Sequence, residues 1–499
     1  MSLMGLDIGT TGTKAIVFDL NGKILSSAYR EYNLHSPHPG WMELNPKDVW
    51  SKVKAAIREA VSRAKRDPVK AVSISCLGEA MTPVTANRKF LGPTIIGFET
   101  RNAAHAKPWM AKQDPMEILK ITGHSPSHIY SILKLMWAKT EQPKVFKSAW
   151  KYLGWEDLAI YMMGLPPTID YSLAGRTLAF DIRKCQWSPK MGKLTGIDLG
   201  LLADPAPSGT VVGEIGAKAS KDTGLPKGCK VVTGGHDQPA GAAGAGIIRS
   251  GIAMDATGTV ECFTPSFGKP VLNRTMLKNN FCCYHHVAPN LFVTLAFNFT
   301  GGSLLKWFRD TFAAEEAREA RKKGVDVYDI LMKKMSKEPT DLFVVPHFTS
   351  TGTPYMDPEP TGAIVGLDLK TTKEELIKAI LEGITYEMKL NLTLLRKAGI
   401  GVNEIRAIGG GAKSEAWLQL KADMFNTKVV RLSVTEAACL GVALSAGVAV
   451  GEFTSFPAAV KRIVKPDKIF RPRPKVARIY DEKLAVYEQL YPALKSARE

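Results

Sequence analysis

Long apolar runs are missing from this chain of 499 residues. No stretch nears the roughly 18 consecutive apolar residues of a membrane-spanning helix, so neither a transmembrane segment nor a membrane partner is expected. Met1 to Gly12 holds no basic stretch followed by an apolar run and does not read as a secretory signal. Cysteine is sparse: seven residues, an odd number, with no C-x-x-C among them. A disulfide framework and a zinc site are therefore not expected, and scattered single cysteines predict a reduced, cytoplasmic protein. The adjacent Cys282 and Cys283 sit in an apolar run and are expected to fill core. No G-K-[ST] occurs, which excludes a P-loop, and no G-x-G-x-x-G precedes a helical pattern, which leaves a dinucleotide fold without support. Acidic residues are in deficit, 48 against 66 basic ones, for a formal net charge of +18. The basic residues are dispersed and form no aromatic-basic platform. They predict a surface that attracts small anions, and no nucleic-acid partner.

What is present reads as an ordinary globular chain, 45% hydrophobic and 23% charged. At roughly 150 residues per domain there is room for two large domains. Leu3 to Ile8 and Lys14 to Leu20 read as strands around a Gly/Thr turn. Asn21-Gly22 is a hairpin signal that returns the chain as a third strand, Lys23 to Tyr32. Asn45-Pro46 reads as an N-cap and a first-turn proline. Val49, Trp50, Val53, Ala56, Ile57, Ala60 and Val61 follow at helical spacing. Val69 to Cys76 is a fourth strand.

A second region repeats this device. Lys230 to Gly234 reads as a strand and Gly241 to Ile248 as a small-residue helix or close turn. Ile252 to Met254 enters Asp255-Ala256-Thr257-Gly258-Thr259, and Val260 to Thr264 leaves it. Asp7-Ile8-Gly9-Thr10-Thr11-Gly12-Thr13 has the same pattern half a chain earlier, which predicts two related domains. Lys373 to Ala398 is predicted as one long helix, and Ile405 to Ile408 as a strand into Gly409-Gly410-Gly411.

Glycine lets backbone N–H groups surround phosphate oxygens, threonine hydroxyls add donors, and an acid before such a loop can hold Mg²⁺. Three such loops follow predicted strands, two with an Asp at the strand end. Gly234-Gly235-His236-Asp237-Gln238 adds an acid on a glycine turn, placed either to act as a base or to cap the following helix.

These residues resemble the FGGY carbohydrate kinases of the actin-like ATPase superfamily, in their xylulokinase-like branch, over nearly the whole chain. Asp7 to Lys14 is similar to the family's first phosphate loop, Asp255 to Thr259 to its second, and Gly409 to Ser414 to its adenosine loop. Gly362 to Leu367 with Glu375 to Glu382 resembles the C-terminal signature, and Lys134-Leu135-Met136-Trp137 the N-terminal one. The resemblance implies an α/β fold of two ribonuclease H-like domains, each on a mixed five-stranded sheet, with ATP in the cleft between them. The domains would span 1–246 and 247–499. By the same resemblance Asp237 is the base that takes a proton from a sugar hydroxyl, and Asp7 lies near Mg²⁺. Thr11, Gly12, Thr13, Lys14, Gly258, Thr259 and Gly302 would line the phosphates, and Gly410, Gly411, Ala412 and Ser414 the adenosine. Glu79, Arg101 and Gln238 would join Asp237 on the substrate; Arg101 reads equally well as a structural ion pair.

Glycerol kinases usually carry Arg at the place of Gly78 and Tyr at that of Ile129, and xylulokinases Met-His at Gly78-Glu79. The expected substrate is a ketopentose such as xylulose, with glycerol, erythritol, ribulose and gluconate as alternatives. A homodimer is possible by the same resemblance. A filament or chaperone-type ATPase would share the loops without needing Asp237 or the helix signature.

Overall fold

The computed structural model describes residues 1–97 and 99–498. The predicted first hairpin forms: Ser2–Ile8 pairs antiparallel with Gly12–Phe18, and Gly12–Phe18 with Ile24–Glu31. On its other side Ser2–Ile8 runs parallel to Val69–Cys76, which runs parallel to Lys230–His236. Helix Pro46–Arg63 provides the crossover. Asn45 caps it, its side chain accepting from Lys47 N and Asp48 N, and the helix buries the stripe from Val49 to Ala60 on the sheet.

The second sheet repeats this path. Ile252–Thr257 is antiparallel to Glu261–Phe267 and parallel to Glu404–Gly409, which is parallel to Lys428–Leu432. The repeated Asp/Gly/Thr device is therefore a repeated topology. Both sheets exceed the expected five strands. Val211–Glu214 adds an antiparallel edge to the first, making six. Pro466–Phe470 adds the equivalent edge to the second, which reaches eight with three short strands between Tyr284 and Asn298.

The long predicted helix is Lys373–Lys397, opened by a reciprocal cap between Thr372 and Glu375. The last helix, Pro474–Arg498, lays Tyr480, Tyr487 and Tyr491 inward. Their hydroxyls donate to Glu382, Glu387 and Asp357. Cys282 and Cys283 are buried.

The two halves share one core. Helix Ala437–Ala449, from the second half, lies against Ser2–Ile8, Val69–Cys76 and helix Asp237–Gly244 of the first half. Its hydrophobic cluster mixes Leu3, Ile16 and Ala240 with Ile252, Val430 and Leu444. The approach is set by small residues: a Cβ on Gly5 would lie 1.9 Å from the Cys439 carbonyl oxygen. Gly5→Ala is therefore expected to cost about 3 kcal/mol or more of stability, because backbone on both sides would have to shift. A denaturant melt showing a change of under about 0.5 kcal/mol, the range of an ordinary surface substitution, would contradict this.

Candidate active site

Strand register assembles the first cluster. Asp7 and Gly235 both pair with Ser75, one row before the strands end at Ile8, Cys76 and His236. The next few residues of the three strands, from Gly9, Leu77 and Asp237, thus emerge along one edge. The strand runs on to His236, past its predicted end at Gly234, where a Cβ would lie 2.1 Å from the Ile74 carbonyl oxygen and only glycine fits. His236 holds the N-cap position of helix Asp237–Gly244 without a capping side-chain bond, and Asp237 is the helix's first residue.

Asp237 is 40% exposed. Its Oδ1 lies 3.2 Å from His236 Nε2. His236 Nδ1 lies 3.0 Å from the Tyr284 hydroxyl. Burial and the nearby Arg176 hold the His236 imidazole well below its ordinary pKa. The uncharged ring thus lies between the Tyr284 hydroxyl at Nδ1 and the Asp237 carboxylate near Nε2. Burial, with the like charges of Asp7 and Glu79, pushes the Asp237 carboxyl up to about 7. The Gln238 Oε1 next to it is buried with no protein partner among the described residues.

Glu79 stands on a strained backbone, φ 58°. Two buried cations hold it there. Arg176 pairs with its carboxylate. Lys134 Nζ donates to its carbonyl oxygen at 2.7 Å. Burial lowers the Lys134 ammonium to about 7. Arg176 is flanked in turn by the rings of Tyr130 and Tyr284. Gly78 leaves room for His236, whose ring lies 3.0 Å from where a Cβ would sit.

Arg101 lies behind this arrangement, its charge and that of Glu99 acting on Lys134. Its side chain is 1% exposed, paired with Glu43 and Glu99 and lying over Trp41 and Trp137. The structure shows the ion-paired arrangement that one of its two sequence readings expected.

The first loop is tied by Gly9 N to Gly12 O at 2.9 Å, and by the Tyr32 hydroxyl, which donates to the Gly9 carbonyl at 2.7 Å. Thr11 is exposed and Gly12 half-buried. Thr13 is buried and donates to the Asp7 carbonyl, so its hydroxyl faces inward. The Lys14 ammonium is held by both oxygens of Glu436, at 3.0 and 2.9 Å. Asp7 accepts from Ser75 Oγ at 2.8 Å, and burial raises its carboxyl pKa. A cation at Asp7 would relieve its crowding with Asp237 and Glu436. Mg²⁺ commonly binds one or two carboxylates and takes its other ligands from water and phosphates, and this donor set fits that habit.

In the second half three glycine loops converge. Gly302 N donates to Gly258 O at 2.9 Å, and Gly301 N to Thr259 O at 3.0 Å. Gly409 pairs with Thr257, and a Cβ on Gly411 would lie 2.7 Å from the Thr257 side chain. Ala412 is buried, and Ser414 caps the helix Glu415–Phe425. Asp255 differs from Asp7. It is fully buried and paired with Lys421, so it is not open to a metal.

The sequence profile for the N-terminal domain of the FGGY family of carbohydrate kinases matches residues 2–244, and that for the C-terminal domain residues 256–450. The chain belongs to this family. It is a carbohydrate kinase, a phosphotransferase acting on sugars, and that excludes the reading as a filament ATPase. It is 28% identical over 491 residues to the xylulose kinase of Bacillus subtilis, covering 98% of this chain and 96% of that protein. It is also 28% identical over 463 residues to the gluconokinase of the same organism, covering 91% and 89%. The crystal structure of xylulose kinase from Rhodospirillum rubrum superposes with a TM-score of 0.90, at 25% identity and 99% of both chains. The fold is the expected two-domain α/β architecture with mixed sheets, as in actin-like ATPases. Among the described residues no helix is long and apolar enough to cross a membrane.

Four residues that sequence reasoning did not assign stand at this site: His236, Tyr284, Arg176 and Lys134. His236 and Lys134 lie inside motifs already noted. Arg176 and Tyr284 meet Glu79 and His236 only through the fold and left no local signal.

Proposed function

We propose that this FGGY kinase transfers the γ-phosphate of MgATP to a hydroxyl of a small neutral sugar, a ketopentose such as xylulose, with Asp237 as general base. The observation that carries the reading is Asp237 itself: a carboxyl at a strand end, partly open, beside an uncharged histidine and pushed up to about 7 by burial and like charge. A base with that pKa is matched to proton transfer at neutral pH. As the sugar oxygen bonds to the γ-phosphorus, its proton passes to Asp237, the bond to the bridging oxygen breaks, and ADP leaves. Glu79 and Gln238 offer acceptors to the other hydroxyls. Asp7 holds Mg²⁺ directly or through water, and the ion, when bound, offsets phosphate charge. The backbone around Thr11, Gly12, Thr13, Gly258, Thr259 and Gly302 cradles the phosphates, with Lys14 at its side. Gly410, Gly411, Ala412 and Ser414 lie along the adenosine. The division into domains at 1–246 and 247–499 places one phosphate loop in each half.

Charge supports a neutral sugar. Glu79 and Arg176 neutralise each other, while Asp237 and Asp7 remain as surplus carboxylates. A sugar acid such as gluconate would add a further anion where Arg176 is already paired with Glu79 and the Lys134 ammonium is buried against the Glu79 carbonyl. ADP release measured with xylulose, ribulose, gluconate, glycerol and erythritol is expected to give kcat/KM for a ketopentose at least roughly 10-fold above that for gluconate, a gap of about 1.4 kcal/mol. The reverse order would overturn the neutral-sugar reading. Seven free cysteines fit a reducing cytoplasm.

A further inference from the structure

The helix Glu415–Phe425 follows the loop Gly409–Ser414 directly, and one of its side chains reaches back under the other nucleotide loop. Lys421 is 1% exposed. Its ammonium meets Asp255 Oδ2 at 2.6 Å, Thr257 Oγ1 at 2.6 Å and Glu261 Oε1 at 2.8 Å. Two of the ammonium's N–H groups donate to Asp255 and Thr257, and its charge also faces Glu261 as an ion pair. The acceptors lie on one face of one hairpin. Asp255 and Thr257 are two residues apart on one strand, and Glu261 pairs across from Thr257 on the other. Between them the chain turns through Gly258, Thr259 and Val260. The side chain of Thr257 is also what Gly411 packs against.

An apolar side chain would fill this volume without a desolvation penalty, and isolated buried ion pairs rarely add net stability. What an ammonium adds is direction: two hydrogen bonds to one stem of a turn and an ion pair to the other, all from one helix. We infer that Lys421 is a positioning residue for ATP. It fixes the Gly258–Val260 turn relative to the Gly409–Ser414 loop, so that the spacing of the phosphate and adenosine contacts is set before nucleotide arrives. The inference rests on the assignment of those two loops to nucleotide. Among the described residues, the hydrogen bonds and ion pairs of Lys421 go to Asp255, Thr257 and Glu261, and none goes to Glu79, Arg176 or Asp237 on the sugar side.

The test compares wild type with Lys421→Met and with the double variant Lys421→Met/Glu261→Gln, which removes one of the two carboxylates the first change strands. Thermal midpoints, calorimetric ATP binding, and KM for ATP and for the preferred sugar of the panel are measured on each. Both variants are expected to raise KM for ATP roughly 10-fold or more, with the sugar KM within about twofold, while the double variant regains much of the lost thermal midpoint. If the double variant restores the ATP KM along with the midpoint, Lys421 only balances charge and the inference falls. It falls equally if ATP and sugar KM rise together, or if Lys421→Met binds ATP as wild type does. Wild type that binds no ATP would instead overturn the nucleotide assignment itself, and the inference with it.

Discussion

Asp237→Asn is expected to lower kcat roughly 10²–10⁴-fold, the weight a positioned general base usually carries. The sugar KM should change little, since the amide keeps one acceptor. The same carboxyl sets a pH limb. Its pKa is raised from 3.8 to about 7, and it is a base only when ionised, so wild-type kcat/KM should fall as pH drops below about 7. The residual rate of the Asn variant should lack that limb. Stability runs the opposite way. A carboxyl whose folded pKa is raised favours folding below its unfolded value near 3.8, and that contribution is lost as pH rises through about 7. At pH 8 wild type therefore carries an ionised Asp237 at a net cost that the Asn variant does not have. The variant should melt no lower than wild type, which separates lost chemistry from lost folding. An Asn variant with full rate on its preferred sugar would remove Asp237 from the mechanism.

Arg176→Met should be the more damaging change to the fold. It leaves Glu79 without its counter-ion on a backbone already held at φ 58°. Removing one partner of a buried pair costs about 3–5 kcal/mol. A denaturant melt should show a loss of that size, and the surviving protein should bind sugar weakly because Glu79 is no longer aimed. Glu79→Gln combined with Arg176→Met removes the stranded charge and should recover much of the stability but not the sugar KM. Recovery of both would mean that neither residue touches substrate.

Local chemistry made much of this molecule legible. The Asn21-Gly22 turn, the Asn45 cap and the strand-to-glycine transitions at Asp7, Gly234 and Asp255 are written in a few adjacent residues each, and all formed close to where their spacing predicts. The edge strands were not legible. Pro466–Phe470 shows four exposed residues of five, and Val211–Glu214 has no fully buried residue, so neither displays the alternation that marks a strand. Charge partners were hidden for a different reason. Lys421 meets Asp255 across 166 positions and Lys14 meets Glu436 across 422. A lysine beside a glycine loop reads as a phosphate ligand, and the carboxylate it also meets comes into view only with the fold. Arg101 read in sequence equally as a substrate residue and as an ion pair, and only the fold brings Trp41, Glu43 and Trp137 to it.

The helix Ala437–Ala449 has a consequence for handling the protein in pieces. It is buried against strands that are complete by residue 76 and against a helix that ends at Gly244. A fragment cut after the first half would leave that face of its sheet wet, and the remaining fragment would carry an apolar rod with nothing to cover it. Produced separately, both should aggregate; produced together, they should find each other and reconstitute activity.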